Sequence, residues 1–197
     1  MTVAAYHEAG HVVARMFTGQ ELTHTVSVSI IPNDTSTARE TTEQCQTEAM
    51  IETCSKEMME STGRQLLICL LAGRGALACL LGEDSREYIL HSDPEEWQIE
   101  GSDLFRADRV ARIMAGNTGS PWRILEQAEE WTTDMIDMPV VWKAIERLAG
   151  RLARKGTVKR EEVMKICDKV MLMGATLPKW KERLFKGYVP LASLLPK

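Results

Sequence analysis

The stretch from Gln65 to Leu81 carries apolar residues on nearly every side of a helical wheel, and no other part of the chain constrains the fold as strongly. A helix without a polar face must be surrounded, so this spacing predicts a central helix with other helices packed about it. Within it, Ala72-Gly73-Arg74-Gly75-Ala76 has small residues at four places, which lets another backbone come close. Gly73, Arg74 and Gly75 also interrupt the apolar run from Leu66 to Leu81, so it reads as a buried core helix and no transmembrane segment is expected.

The N-terminal helix is the neighbour expected to pack against it. Val3, Ala4, Ala9, Val12, Val13, Met16 and Phe17 give that helix apolar flanks, Thr2 is a candidate N-cap, and Gly19 is a stop signal. Its sequence Tyr6-His7-Glu8-Ala9-Gly10-His11 places two histidines four residues apart, one above the other on a single face, with Glu8 one step round the turn. Two neutral imidazoles suit Zn2+, one ion per chain, and an open coordination position holds a water whose pKa falls toward neutrality. Glu8 can take that water's proton as general base and pass it to a leaving amine, so the expected reaction is hydrolysis of a peptide bond. Three fixed positions can coincide by chance. Here, however, two of the chain's four histidines lie in the pattern, inside an apolar helix with start and stop signals.

Beyond Gly19, His24 to Pro32 alternates polar and β-branched residues, which predicts a strand ended by Pro32 and the turn-prone Asn33-Asp34. Val28, Ser29 and Ile30 on it are candidates for pairing with an extended substrate; the alternative is a core hairpin. A lone His24 at a strand start reads as structural. Asp34 to Thr42 shows no periodicity and reads as a loop. From about Glu43 the pattern turns helical, with Met50, Ile51, Met58 and Met59 as a core stripe broken at Thr62-Gly63. Gly82 to Glu100 is acidic and reads as loop with a short helical turn; His91 and Asp93 in it are minority candidates for metal. Asp103 then stands at or within the first turn of a helix running to about Met114, where an aspartate is more often a cap than a ligand.

The last third is helical throughout, over about 121–135, 139–154 and 159–173. Pro121 and Pro139 stand at helix starts, Gly156 closes the middle helix, and Ala144, Ile145, Leu148, Ala149 and Leu152 form its inner stripe. The reading is thus one zinc-domain unit over residues 1–176, with a metal core at about 1–116, a helical subdomain at about 121–176, and a tail at 177–197.

Composition excludes some roles. A net charge of -4 gives no electrostatic case for nucleic acid. The basic run Arg147, Arg151, Arg154, Lys155, Lys159 and Arg160 reads as a solvated helix face before a docking patch. Five cysteines, an odd number with no CxxC pair, imply a reducing compartment, and the metal motif stands where a signal peptide would be, so a cytoplasmic location is expected.

In order along the chain, Tyr6-His7-Glu8-Ala9-Gly10-His11, Ile30-Ile31-Pro32, Ala72-Gly73-Arg74 and Gly101-Ser102-Asp103-Leu104 with Arg106-Ala107 resemble the peptidase domain of FtsH-type AAA zinc metalloproteases. The stretch Ala149 to Val163 is similar to that family's closing helical hairpin. The resemblance covers about residues 3 to 173 and implies a mainly α, zincin-like domain with a small β element and a C-terminal helical bundle. It further implies His7, His11 and Asp103 as zinc ligands and Glu8 as the catalytic base, reversing the cap preference for Asp103. The implied activity is that of a metalloendopeptidase acting on unfolded or flexible protein segments. The chain departs from the family at Ser102, where asparagine is usual, at Leu77 and Ala78 in place of acidic residues, and at Asn33 after the strand's proline. In that family an ATPase module precedes the peptidase domain, and the expectation here is a peptidase domain standing alone. A protein or peptide substrate is the expected partner, with a separate ATPase or self-association as candidates beside it, and the competing reading is a metal-stabilised interaction or regulatory domain of a larger protease assembly.

Overall fold

The computed structural model describes residues 3–19, 27–30, 56–91, 95–117 and 119–176. Its axis is α2, Lys56–Leu81, 26 residues long and buried on all sides between Leu66 and Ala72. On one side lies α1, Val3–Thr18, ended by Gly19 at φ 81°; on the other lie α4, Asp103–Ala115, and α5, Pro121–Ile136. The short α3, Ser85–His91, caps the end of this layer against α2 and α5. Outside α1 sits a hairpin of α6, Pro139–Lys155, and α7, Arg160–Thr176. Between its arms the chain makes β2, Thr157–Lys159, which pairs antiparallel with β1, Ser27–Ser29. The described part of the protein is therefore mainly helical with one two-stranded sheet.

The packing follows from the sequence pattern. Thr62–Leu81 has the length and mean hydropathy of a membrane span, yet 72% of its apolar window is buried within the protein, so neighbouring helices supply its apolar surroundings. The closest approach is at Gly10 of α1, where a Cβ would fall 2.4 Å from the backbone oxygen of Ala72. Glycine there lets two helices meet backbone to backbone, as the small-residue stretch of α2 predicts. The core is one continuous cluster that reaches from Ala5 to Val170, and helices on both sides of residue 120 contribute to it. Ala144, Ile145, Leu148, Ala149 and Leu152 all lie in it, in agreement with their helical spacing.

Two expectations are corrected. No break occurs at Thr62-Gly63: α2 runs unbroken from Lys56. Gly63 lies where the Met114 side chain of α4 crosses, and a Cβ there would be 2.5 Å from its Sδ, so the glycine serves helix packing and not termination. Residues 157–159, expected to fall in a turn and the start of a helix, instead form a strand. Its Val158 is fully buried opposite Val28. Three residues are too few to show an alternating pattern, so no periodicity signalled it. His24, Met50, Ile51, Asp93 and the tail 177–197 lie outside the described residues.

Candidate metal centre

Helix α1 presents His7 and His11 on the face turned toward α2, as their spacing requires. The third participant arrives from α4. Ser102 is that helix's N-cap, its Oγ accepting from the Phe105 N–H at 3.2 Å. Capping is thus performed by the residue before Asp103, and the Asp103 carboxylate is turned to the histidines instead. His7 Nε2 and His11 Nε2 are 3.0 Å apart, and each lies 3.0 Å from Asp103 Oδ2. Two imidazole nitrogens and a carboxylate oxygen so form a nearly equilateral triangle that could hold a metal ion. A tetrahedral ion bound at roughly 2.0–2.1 Å separates its ligand atoms by about 3.3 Å, so an opening of about 0.3 Å per edge would accommodate it.

The orientation of His11 is fixed from behind. Its Nδ1 lies 2.7 Å from the carbonyl oxygen of Cys69 on α2, and a carbonyl can only accept, so Nδ1 carries the proton and Nε2 faces the triangle. Gly73 makes this contact possible. A helical Cβ leans toward the preceding turn, and at Gly73 it would meet His11 Nε2 at 2.5 Å and both His11 Cε1 and His7 Cε1 at 2.8 Å. Without a side chain there, α2 offers bare backbone against which the two rings rest, and the Cys69 oxygen one turn earlier stays uncovered.

The electrostatics agree with a site built for positive charge. Burial opposes protonation of His11, but the adjacent Asp103 carboxylate, with help from Glu8 and the Cys69 carbonyl, outweighs it and holds the His11 pKa well above the usual histidine value. For Asp103, burial works against ionisation, and the two histidines overcome it and hold the carboxyl well below the usual carboxylate range. In the metal-free protein a proton on His11 therefore compensates Asp103. Replacing that proton by a cation is the exchange expected of a metal centre. His11 is buried at 7% exposure, while 26% of the His7 side chain is exposed, so one side of the triangle opens outward.

No family model, curated protein or solved structure matches the chain.

The other candidates lie apart. His91 is exposed and stacks edge-on against Trp122, with ring centroids 5.5 Å apart, outside the triangle. Val28 and Ser29 are both buried, and Ser29 Oγ lies 2.9 Å from Thr157 Oγ1. The Ile30 N–H donates to Gly156 O at 2.9 Å, which makes Val28 and Val158 a hydrogen-bonded pair and turns the backbone groups of Ser27 and Ser29 to the opposite edge. That edge pairs with no strand among the described residues. Between α6 and α7, Arg147, Arg151, Arg154 and Lys159 line a groove of about 830 Å³ that includes none of the triangle. Arg151 of the groove and the nearby Lys155 pair with Glu162, at 3.2 and 2.7 Å, as expected of a solvated face. Sequence reasoning missed the Cys69 carbonyl, which no side-chain pattern can signal. It also missed Ser102 as the cap, although serine three residues before a free helical N–H is a recognisable sign.

Proposed function

We propose that this chain is a zinc metalloendopeptidase with a zincin-like fold similar to FtsH peptidase domains, acting on unfolded or flexible protein segments. The observation that carries the reading is the convergence of His7, His11 and Asp103, with ligand atoms all 3.0 Å apart, beside a glutamate one residue from the first histidine. Two nitrogens and one carboxylate oxygen fit a catalytic zinc site, since three protein ligands leave one position open, whereas a structural site fills all four with protein. Zinc held there would polarise the scissile carbonyl and acidify water at the open position. Glu8 is half-buried on α1 and near enough to raise the proton affinity of His11. Its role is to take the proton from the attacking water and return it to the departing amine. His11 is held by Cys69 O, so its Nε2 stays directed at the site throughout. An extended substrate would add to the sheet beside β1, by strand pairing.

The second reading, an interaction or regulatory domain stabilised by metal, draws on Val28 and Ser29, which are both buried. A single set of measurements separates the two. Purified protein is assayed for bound zinc and for cleavage of casein, alongside Glu8→Gln. The peptidase reading expects zinc in both proteins and cleavage reduced by about 10²–10⁴ in the variant. Cleavage that survives in a zinc-loaded Glu8→Gln protein would overturn the role of Glu8, and zinc without any cleavage in the parent protein would favour the interaction domain.

A further inference from the structure

We infer that Arg74 is a positioning residue for the third corner of the metal centre, acting through Glu96 and Ser102 on Asp103; this rests on the metal reading above. Two corners of the triangle come from one rigid helix, so their mutual geometry is secured by α1 alone. Asp103 is different. Its place depends on where α4 begins, and the chain leading into α4 is exposed at Gln98, Ile99, Glu100 and Gly101. Such a segment has little core burial to fix it, while metal sites tolerate only about 0.2 Å in ligand distances.

Arg74 supplies the missing anchor. It is 6% exposed, and its Nε donates to Ile89 O at 2.8 Å while Nη2 donates to Tyr88 O at 3.5 Å, so the guanidinium grips the end of α3. Its Nη1 is paired with the Glu96 carboxylate, which opens the 3-10 turn Glu96–Gln98. A planar guanidinium spreads its donors over three nitrogens in a fixed fork and so reaches both carbonyls and the carboxylate at once, whereas lysine's three donors share a single nitrogen. The Glu96 carbonyl in turn accepts from Ser102 Oγ at 2.6 Å, and the Ser102 N–H donates to Ile99 O at 3.0 Å. Ser102 is the N-cap whose next residue is Asp103. Arg74 also follows Gly73 directly, the residue against which both imidazoles rest. One turn of α2 therefore gives the histidines their seat and the aspartate its anchor, and so registers all three ligands to a single element.

The test is a double-mutant cycle on the full chain, read as zinc affinity by competition with a chromophoric chelator, with far-UV circular dichroism to establish folding. Glu96→Gln removes the carboxylate's charge and keeps its shape, and Arg74→Lys keeps the charge and loses the fork. Each is expected to weaken zinc binding about 10- to 100-fold, as loss of an outer-shell partner does. In an Asp103→Ala background the same changes should have less than about a twofold effect, because their action passes through Asp103. Unchanged affinity in both single variants, or an undiminished loss without Asp103, would overturn the inference. If Glu96→Gln does not fold, Ser102→Gly replaces it in the cycle, since glycine is itself a well-tolerated N-cap. A parent protein that binds no zinc, or one indifferent to Asp103→Ala, would instead overturn the metal reading itself.

Discussion

Gly73→Ala is the smallest change that should disable the metal centre while leaving the fold standing. A methyl group at this position would lie 2.5 Å from His11 Nε2 and 2.8 Å from His11 Cε1 and His7 Cε1. Ordinary van der Waals contact begins at about 3.5 Å, so the His11 ring must retreat by about 1 Å. That is several times the roughly 0.2 Å tolerance of a zinc ligand. Retreat also strains the 2.7 Å bond from Nδ1 to Cys69 O, which orients the ring. Overpacking typically costs about 1–3 kcal/mol, and exchanging glycine for alanine within a helix returns about 1 kcal/mol, so the net loss of stability is about 0–2 kcal/mol. Zinc affinity should fall by at least about 100-fold, since a first ligand is displaced along with its outer-shell bond. Thermal unfolding in chelator and zinc titration of the same sample read the two effects separately. Gly10→Ala is the contrasting control: its methyl would meet the Ala72 carbonyl oxygen at 2.4 Å, and backbone cannot swing aside, so global stability falls first. A Gly73→Ala protein that binds zinc within about threefold of the parent would refute the argument.

Two further outcomes follow from the charges and thiols. His11 is raised in the folded state, so its contribution to metal-free stability is complete below about pH 6.5 and is lost as pH climbs through the raised value; Asp103 is lowered, so its contribution is complete above about pH 4 and is lost as pH falls through the lowered value. The Tm difference between chelated parent and Asp103→Asn should therefore shrink from pH 6 to pH 9, while zinc affinity, which needs neutral His11, rises over the same range; a widening difference would contradict the assignment. Cys167 is buried, and burial pushes its thiol up to about 12, so alkylation by iodoacetamide at pH 8 should await unfolding, and labelling at the rate of an exposed thiol, read by peptide mass spectrometry, would count against this packing.

What could be read in the sequence was whatever a single helix or strand decides by itself. The pairing of His7 with His11 is intrahelical, set by the 3.6-residue turn, so spacing alone made it visible. The burial of Leu66 to Ala76 followed from an apolar wheel, and the inner stripe of α6 from its period. Failures arose where a residue's meaning depends on a distant neighbour. Gly63 resembles a helix stop until Met114 is seen lying across it. Thr157 to Lys159 is too short to declare itself, and becomes a strand because Ser27 to Ser29 lies beside it. Asp103 shows the division most clearly. Its position at the helix start favoured a cap and the family resemblance a ligand, because a carboxylate serves both ends. Tertiary structure decides between them by giving the cap to Ser102 and carrying Asp103 across 92 residues of chain to His11, where two imidazoles offer a buried carboxylate better compensation than the helix's own N–H groups. Sequence determined which groups the protein owns and which of them share a turn of helix; only the packing of α1 and α4 against α2 determined which of those groups meet, because contact between separate elements depends on shape and burial that no local pattern encodes.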